Sequence, residues 1–455
     1  MTKRENNFIS ILNQARMLDI YDMNYVYSSR IFPRFLASSA KMLPRTGIML
    51  HIGGFTRNLF RKINFIDWGK EKLISKSSIL FFTDTLNQRS SVKPIADKID
   101  HAVLIGNTGD IPFTLTLFKA YFYSLPFIGK VASEYFHASG QLKTSYKYIF
   151  DLYWLTYGLY IAARLWLRKI QPRVLVFGSD HAMEQRVIRK AAREEHIKTV
   201  YIQHASVTDE FPVLEFDYAL LQGMDTLKTY DKIGESKTKV YLVGNPKLDG
   251  YQQTINRKNT VCTLGICTNK LDPKQRVEEL IRKIKADFPE MHIILRPHPG
   301  DAKLKEWEQM ANHYALEFSN SKIEDSFHYL SRIDCNIAGN SNIHLEAVLL
   351  NVYPLFFDFA LKPKLVQYSF LKEGLCEYYS DIDSVIEKIK ELQQRKDDIR
   401  HRAKQYNDTI DTAYDFRSSD LAKDLLQAIA NQQEIPGFIW TKIAETRLEA
   451  YRLTQ

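Results

Sequence analysis

Residues 173–205 read "RVLVFGSDHAMEQRVIRKAAREEHIKTVYIQHA". The apolar run "VLVFG" reads as a buried strand. Residues 180–196 read as a helix, with Ser179 or Asp180 as its N-cap. "TVYIQHA" (199–205) is the next strand. A strand, a helix and a second strand in so few residues predict a parallel pair with the helix laid across it.

The same rhythm extends both ways. Upstream, "SILFFT" and "HAVLIGN" read as strands around the helix "SVKPIADKI", whose proline is expected in its first turn. "GIMLHIGGF" (47–55) reads as a short strand and a glycine-rich turn. Downstream, "YALLQG" and "KVYLVG" are strands. "GNPKLDGYQQTINRKNT" (244–260) is polar and breaks the pattern, which marks a linker. A second alternation then runs through "VCTLGIC", "MHIILRP", "LEFSN", "CNIAG" and "YPLFFDF". The expected fold is α/β of the GT-B kind, two Rossmann-like doubly wound domains facing across a cleft. The first domain covers 1–245, with a helical insertion at about 111–170, and supplies the acceptor site. The second covers 246–400 and holds the nucleotide donor. A helical tail, 401–455, is expected to pack back on the first domain.

The chain has 455 residues, enough for more than one core. Hydrophobic residues are 45% and charged residues 25%, the balance of a folded globular chain. The four cysteines form no CxxC pair and no His/Cys cluster, which fits a reduced compartment and excludes a structural zinc site. The first twenty residues lack the uninterrupted apolar core of a signal peptide. "YIFDLYWLTYGLYIAARLW" (148–166) carries Asp151 and Arg164 and runs into a strand, so it reads as a buried helix, not a membrane span. The formal charge of +9 suits an anionic partner. No zinc finger or RNA-binding signature points to nucleic acid.

In open parallel sheets, ligands bind beyond the carboxyl ends of the strands. Polar residues just past a strand are therefore the candidates. In the second domain these are Thr268 and Asn269, then Arg296, His298 and Asp301, then Asn340, Ser341 and Asn342. In the first they are Thr83, Asp84, Asn107, Asp180, His181, Gln203, His204 and Gln222. In "ILRPHPGD" (294–301) two prolines fix φ around His298, so its imidazole is aimed with little freedom left to lose. It can donate to a phosphate oxygen. In "AGNSNIHLEA" (338–347) a small polar run opens a helix. Its free N–H groups and the Ser341 hydroxyl suit a phosphate, and Glu346 suits a ribose diol.

"ILRPHP", "GNSNIHLEA" and the linker "VGNPKLD" together resemble GT-B glycosyltransferases and their relatives. Within that group they resemble enzymes that use cytidine-nucleotide donors: bacterial sialyl- and Kdo transferases, and the CDP-glycerol or CDP-ribitol transferases of teichoic acids. The layout is also similar to UDP-N-acetylglucosamine 2-epimerase, though Asn342 and Ile343 stand where that family has two glycines after the serine. The likeness covers roughly residues 173–360. It implies that His298 and Ser341 hold the donor phosphate, with Arg296, Pro299, Asn340, Asn342, Glu346 and Thr268 around them.

The implied activity is transfer of a sugar, an acidic one such as Kdo or a nonulosonate, from a CMP-activated donor to a capsule, O-antigen or lipopolysaccharide glycan. The alternatives are a CDP-glycerol- or CDP-ribitol-type transferase and a UDP-sugar 2-epimerase. The partners would be a nucleotide-sugar and a glycan or lipid-linked glycan acceptor. No separate cofactor and no metal is needed, since no DxD motif stands beside a strand. The expected place is the cytoplasm, with peripheral contact at the inner face of the membrane. Transfer needs a base. "YIQHASVTDEFP" (201–212) offers His204, the favoured residue, with Asp180, Asp209 and Glu210 behind it; "FGSDH" also offers His181 and "FFTDT" Asp84.

Overall fold

The computed structural model describes residues 3–38, 42–63, 79–111, 113–270, 272–359, 369–433, 435 and 439–454. The chain forms two compact units. Unit 1 comprises Met1–Leu221, Leu227–Lys247 and Ser419–Gln455; unit 2 comprises Gln222–Thr226 and Leu248–Ser418.

Unit 1 is built on β1 (Ile79–Phe82), β2 (Ala102–Ile105), β3 (Val174–Phe177), β4 (Lys198–Ile202), β5 (Tyr218–Leu221) and β6 (Lys239–Leu242). Unit 2 is built on β7 (Thr263–Thr268), β8 (His292–Pro297), β9 (Glu317–Phe318), β10 (Cys335–Ala338), β11 (Tyr353–Phe357) and β12 (Glu377–Tyr379). β13 (Trp440–Ile443) and β14 (Ala450–Leu453) close the chain.

The first sheet runs β2-β1-β3-β4-β5-β6-β14-β13 and is parallel except for the last pair. Its first strands follow the 2-1-3-4-5 order of one doubly wound class, whose direction reverses between the first and third strands. Here that crevice lies between β1 and β3, where Phe82 pairs with Phe177. The second sheet runs β9-β8-β7-β10-β11-β12, all parallel. That is the 3-2-1-4-5-6 order, which reverses between β7 and β10. Both sheets are rich in fully buried Val, Ile, Leu and Phe, as strands covered on two faces must be.

Residues 114–170 are almost entirely helical. The long helix Gly140–Ile170 lies in the core. Its two buried charges are met: Arg45 stands 3.4 Å from Asp151, and Arg164 donates to Glu195 at 2.6 Å. Gly158 lets this helix meet Thr114–Ser124 closely, since a Cβ there would lie 1.9 Å from the Ala120 carbonyl. No helix among the described residues is long and apolar enough to cross a membrane.

Four local expectations differ from the structure. The helix after β3 runs Met183–Glu194 with Ala182 at its N-cap, not Ser179 or Asp180. Residues 48–63 are one helix, not a strand and turn. The buried Gly54 leaves room for the Arg45 guanidinium over the helix surface, which a side chain would block. Pro94 lies in the last turn of the helix Leu86–Ala96, because Thr85 caps that helix earlier than the hydrophobic pattern suggested. Among the described residues of 401–455, the α-helix is Ser418–Ala430; the hairpin β13–β14 follows and extends the first sheet, because β14 finds the open edge of β6.

Candidate functional site

In unit 2, register brings three loops together. Ala338 pairs with Cys267 and Cys267 with Arg296, so β10, β7 and β8 end side by side. Beyond them lie Gly339–Asn342, Asn269–Lys270 and His298–Gly300. The close fit at Gly339 confirms how near two of these loops stand: a Cβ there would meet Asp272 Oδ1 at 3.3 Å and Asn269 Nδ2 at 3.5 Å.

His298 and Pro299 are exposed. The Gly300 N–H donates to His298 Nδ1 at 3.0 Å, which assigns the neutral tautomer with its proton on Nε2. Desolvation and then the nearby Lys270 charge hold the imidazole below its ordinary pKa, outweighing Asp301. His298 therefore offers a neutral N–H donor. Lys270 supplies the positive charge: its Nζ would lie 2.8 Å from a Cβ on Gly300, and His298 Nδ1 would lie 3.3 Å from the same point. The sequence reading passed over Lys270, although it follows Thr268 and Asn269 at the same strand end.

Ser341 Oγ accepts from Ile343 N at 3.3 Å, which leaves its own proton to donate. The helix that follows, Ile343–Leu349, is only seven residues long, so side chains and not a helix dipole carry this loop. His344, also passed over, is fully buried, bonds the Gly339 carbonyl through Nε2 at 2.8 Å and stacks on Phe356. It ties the turn to the helix. Asn342 donates weakly to Glu346 at 3.4 Å, and both are partly exposed, as is Asn340. Thr268 Oγ1 is buried without a hydrogen-bond partner.

Arg296 takes a different place from the one expected. It is still a strand residue, so its side chain points into the layer beneath the loops. It donates to Ser319 Oγ at 2.7 Å and to the Glu324 carbonyl at 2.8 Å, and lies over the Tyr329 ring. Asp301 is likewise turned inward: it accepts from Lys303 N and from Trp307 Nε1. Arg296 and Asp301 brace the loop from below.

In unit 1 the loops after β1 and β3 flank the crevice. Gln185 joins them, accepting from Ser179 N at 2.9 Å and donating to Asp84 Oδ2 at 2.8 Å. Beside this bridge Asp180 Oδ1 receives His181 Nδ1 at 2.8 Å, and Asp180 Oδ2 receives the Tyr230 hydroxyl at 2.6 Å. Burial pushes the Asp180 carboxyl up; the bonds from His181 and Tyr230 outweigh it and hold the group below its usual range. Asp180 is thus a buried carboxylate that orients a partly exposed imidazole, whose Nε2 is the ring nitrogen not held by the carboxylate. Phe211 packs its ring against His181 at 4.9 Å.

His204 lies next to this pair, 6.4 Å from His181 between ring centres. Its Nδ1 is buried without a partner. Desolvation, then the His181 and Lys247 charges, push its pKa down to about 3. It is a neutral, weakly basic ring. Asp209 is exposed, whereas Glu210 is paired with Arg34 at 2.7 Å and its carbonyl receives the Tyr25 hydroxyl.

No protein-family model matches the sequence, and no curated protein matches it. Solved structures do share its fold. A protein from Listeria monocytogenes assigned as a UDP-N-acetylglucosamine 2-epimerase superposes with a TM-score of 0.51 at 10% identity, over 80% of this chain and 99% of its own. Another UDP-N-acetylglucosamine 2-epimerase gives 0.50 at 12% identity, over 80% and 98%. The fold is GT-B. The wall teichoic acid polymerase TagF gives 0.48 at 10% identity, over 85% of this chain and 97% of its own. With the GT-B fold shown, the crevices at β7/β10 and β1/β3 are the positions where Rossmann-like units take ligands.

Proposed function

We propose that this GT-B chain acts on a nucleotide-activated sugar, with unit 2 binding the nucleotide phosphate and unit 1 supplying the acid–base group. The observation that carries the reading is the set of donors on three adjacent strand ends: Lys270, the His298 Nε2–H and the Ser341 hydroxyl. One charge and two neutral donors stand on neighbouring loops there, the set a phosphate ester requires. In unit 1, His181 is the better base than His204. A carboxylate at Nδ1 stabilises the imidazolium that forms when Nε2 takes a proton, whereas His204 is desolvated and barely basic.

Two reactions fit these parts. Epimerisation at C2 of a UDP-sugar is supported by the shared fold of the epimerases, and needs a proton removed and returned at C2. Transfer of a CMP-activated acidic sugar, or of a CDP-linked polyol phosphate, is supported by the RPHP and GNSNIHLEA motifs. There His181 takes the proton of an acceptor hydroxyl; that oxygen bonds to the donor, and the nucleotide leaves with the electron pair of the broken bond. A glycan or lipid-linked acceptor and a cytoplasmic membrane-face location belong to this second reading.

Incubation in deuterated water with UDP-N-acetylglucosamine alone separates the two. Deuterium at C2 without acceptor supports epimerisation. Nucleotide release from CMP-sugars or CDP-glycerol only when an acceptor glycan is added supports transfer. Neither outcome, together with no nucleotide binding by unit 2, would overturn the proposal.

A further inference from the structure

We infer that the outward face of the helix Ile48–Ile63 docks on an anionic lipid surface. Met49, Leu50 and Phe60 are 79%, 59% and 62% exposed on it. Gly53, Thr56 and Arg57 are the other exposed positions between them. At about 100° per residue these six positions fall within a sector of roughly 120°. The opposite face is seated in unit 1: His51 and Phe55 are buried, and Phe55 stacks on Trp154 at 3.7 Å. The helix is therefore anchored by one side and shows apolar side chains on the other. Leu43, 77% exposed, stands just before it. The helix Thr114–Ser124, which packs on it, also exposes Phe122.

Charge selects the partner. Residues 23–66 contain Arg30, Arg34, Lys41, Arg45, Arg57, Arg61 and Lys62 and no Asp or Glu. Arg34 and Arg45 pair with Glu210 and Asp151, but Arg57 shares the outward face with the exposed Met, Leu and Phe. Large apolar side chains edged by arginine and free of carboxylates suit the boundary between acyl chains and anionic headgroups. A helix of 16 residues is about 24 Å long and would lie flat there. The inference is independent of the nucleotide chemistry, and its test uses no nucleotide.

The full chain is sedimented with phosphatidylcholine vesicles and with vesicles of phosphatidylcholine and phosphatidylglycerol at three to one. Binding is expected to the anionic vesicles only, and to fall with added salt. The variant Met49→Ser/Leu50→Ser/Phe60→Ser, which alters exposed positions alone, should bind on the order of ten-fold more weakly, and Arg57→Glu should weaken binding several-fold. Circular dichroism and the melting temperature check that the variants fold. Absence of binding to anionic vesicles, equal binding to neutral ones, or an unchanged triple variant would overturn the inference. So would concentration-dependent self-association abolished by the triple variant with no lipid binding, which would assign the face to a second copy.

Discussion

The Asp180 carboxylate and the His181 imidazole, neighbours in sequence, meet through Oδ1 and Nδ1 at 2.8 Å, and Tyr230 fixes the other oxygen. The carboxylate is buried and the imidazole is only partly so. This polarity, an orienting acid beneath a reachable ring, singles out His181. Replacing it with Asn should lower turnover by about 10²- to 10⁴-fold. Asp180→Asn should do nearly as much, while Tyr230→Phe should cost less. Nucleotide affinity should stay within about two-fold in all three, because unit 2 is untouched. Steady-state kinetics beside nucleotide titration checks this, and a His204 variant more damaging than His181→Asn would reverse the assignment.

Lys270 and His298 stand on adjacent strand ends, and both border the space over Gly300. Lys270→Ala and His298→Ala should each weaken nucleotide binding by about 1–2 kcal/mol. The double variant should lose less than the sum, by at least about 0.5 kcal/mol, since both act on one phosphate. Calorimetric titration with UDP and CMP measures it. Strict additivity would mean separate ligands for the two groups.

Burial, opposed by the bond to the Gly339 carbonyl, pushes the His344 pKa down to about 4. Its unfolded value is about 6.5. Between those values the unfolded chain binds the extra proton, so stability rises with pH and is lost as pH falls below about 6.5. His204, pushed down to about 3, acts with the same sign over a wider range. Each group contributes up to about 1.4 kcal/mol per pH unit within its window. His344→Gln should flatten the pH dependence of urea unfolding between pH 6.5 and about 4, while lowering stability at pH 7 by about 1–3 kcal/mol. An unchanged slope would remove His344 from this role.

Gly265, in the middle of β7, leaves space for Tyr329: a Cβ would lie 2.0 Å from the phenol oxygen. That phenol donates to Asn336 at 3.0 Å, and its ring lies under the Arg296 guanidinium. Gly265→Ala should therefore destabilise unit 2 by about 1–3 kcal/mol through overpacking. Arg296→Gln should act in the same direction, since it strips charge-assisted bonds from Ser319 and Glu324. Both should lower the midpoint of unfolding more than they change nucleotide affinity in the folded protein. A loss of affinity at full stability in Arg296→Gln would return that residue to the binding surface.

Much of this was legible in the chain. The runs that became β3, β4, β7, β8 and β10 were readable because strands buried on both faces must be continuously apolar. The strand-end positions of His298, Ser341 and Asp180 followed directly. Residues 48–63 resemble a strand and turn in sequence because two glycines imitate a turn, whereas in the fold the Arg45 side chain takes the space a side chain at Gly54 would need. Arg296 lies within the strand run "MHIILRP" itself, and Ser319 and Glu324 draw its side chain into the layer below the loops, which the sequence does not show.

The sequence by itself determined two α/β units and the strand-end loops from which the candidate site is drawn, since periodicity and strand ends are local properties. Tertiary structure decided which side chain in each loop is poised and which is spent. Asp180 is completed by Tyr230, fifty positions away, and Arg296 is drawn inward by Ser319 and Glu324. A side chain's charge, tautomer and direction depend on partners that only folding supplies.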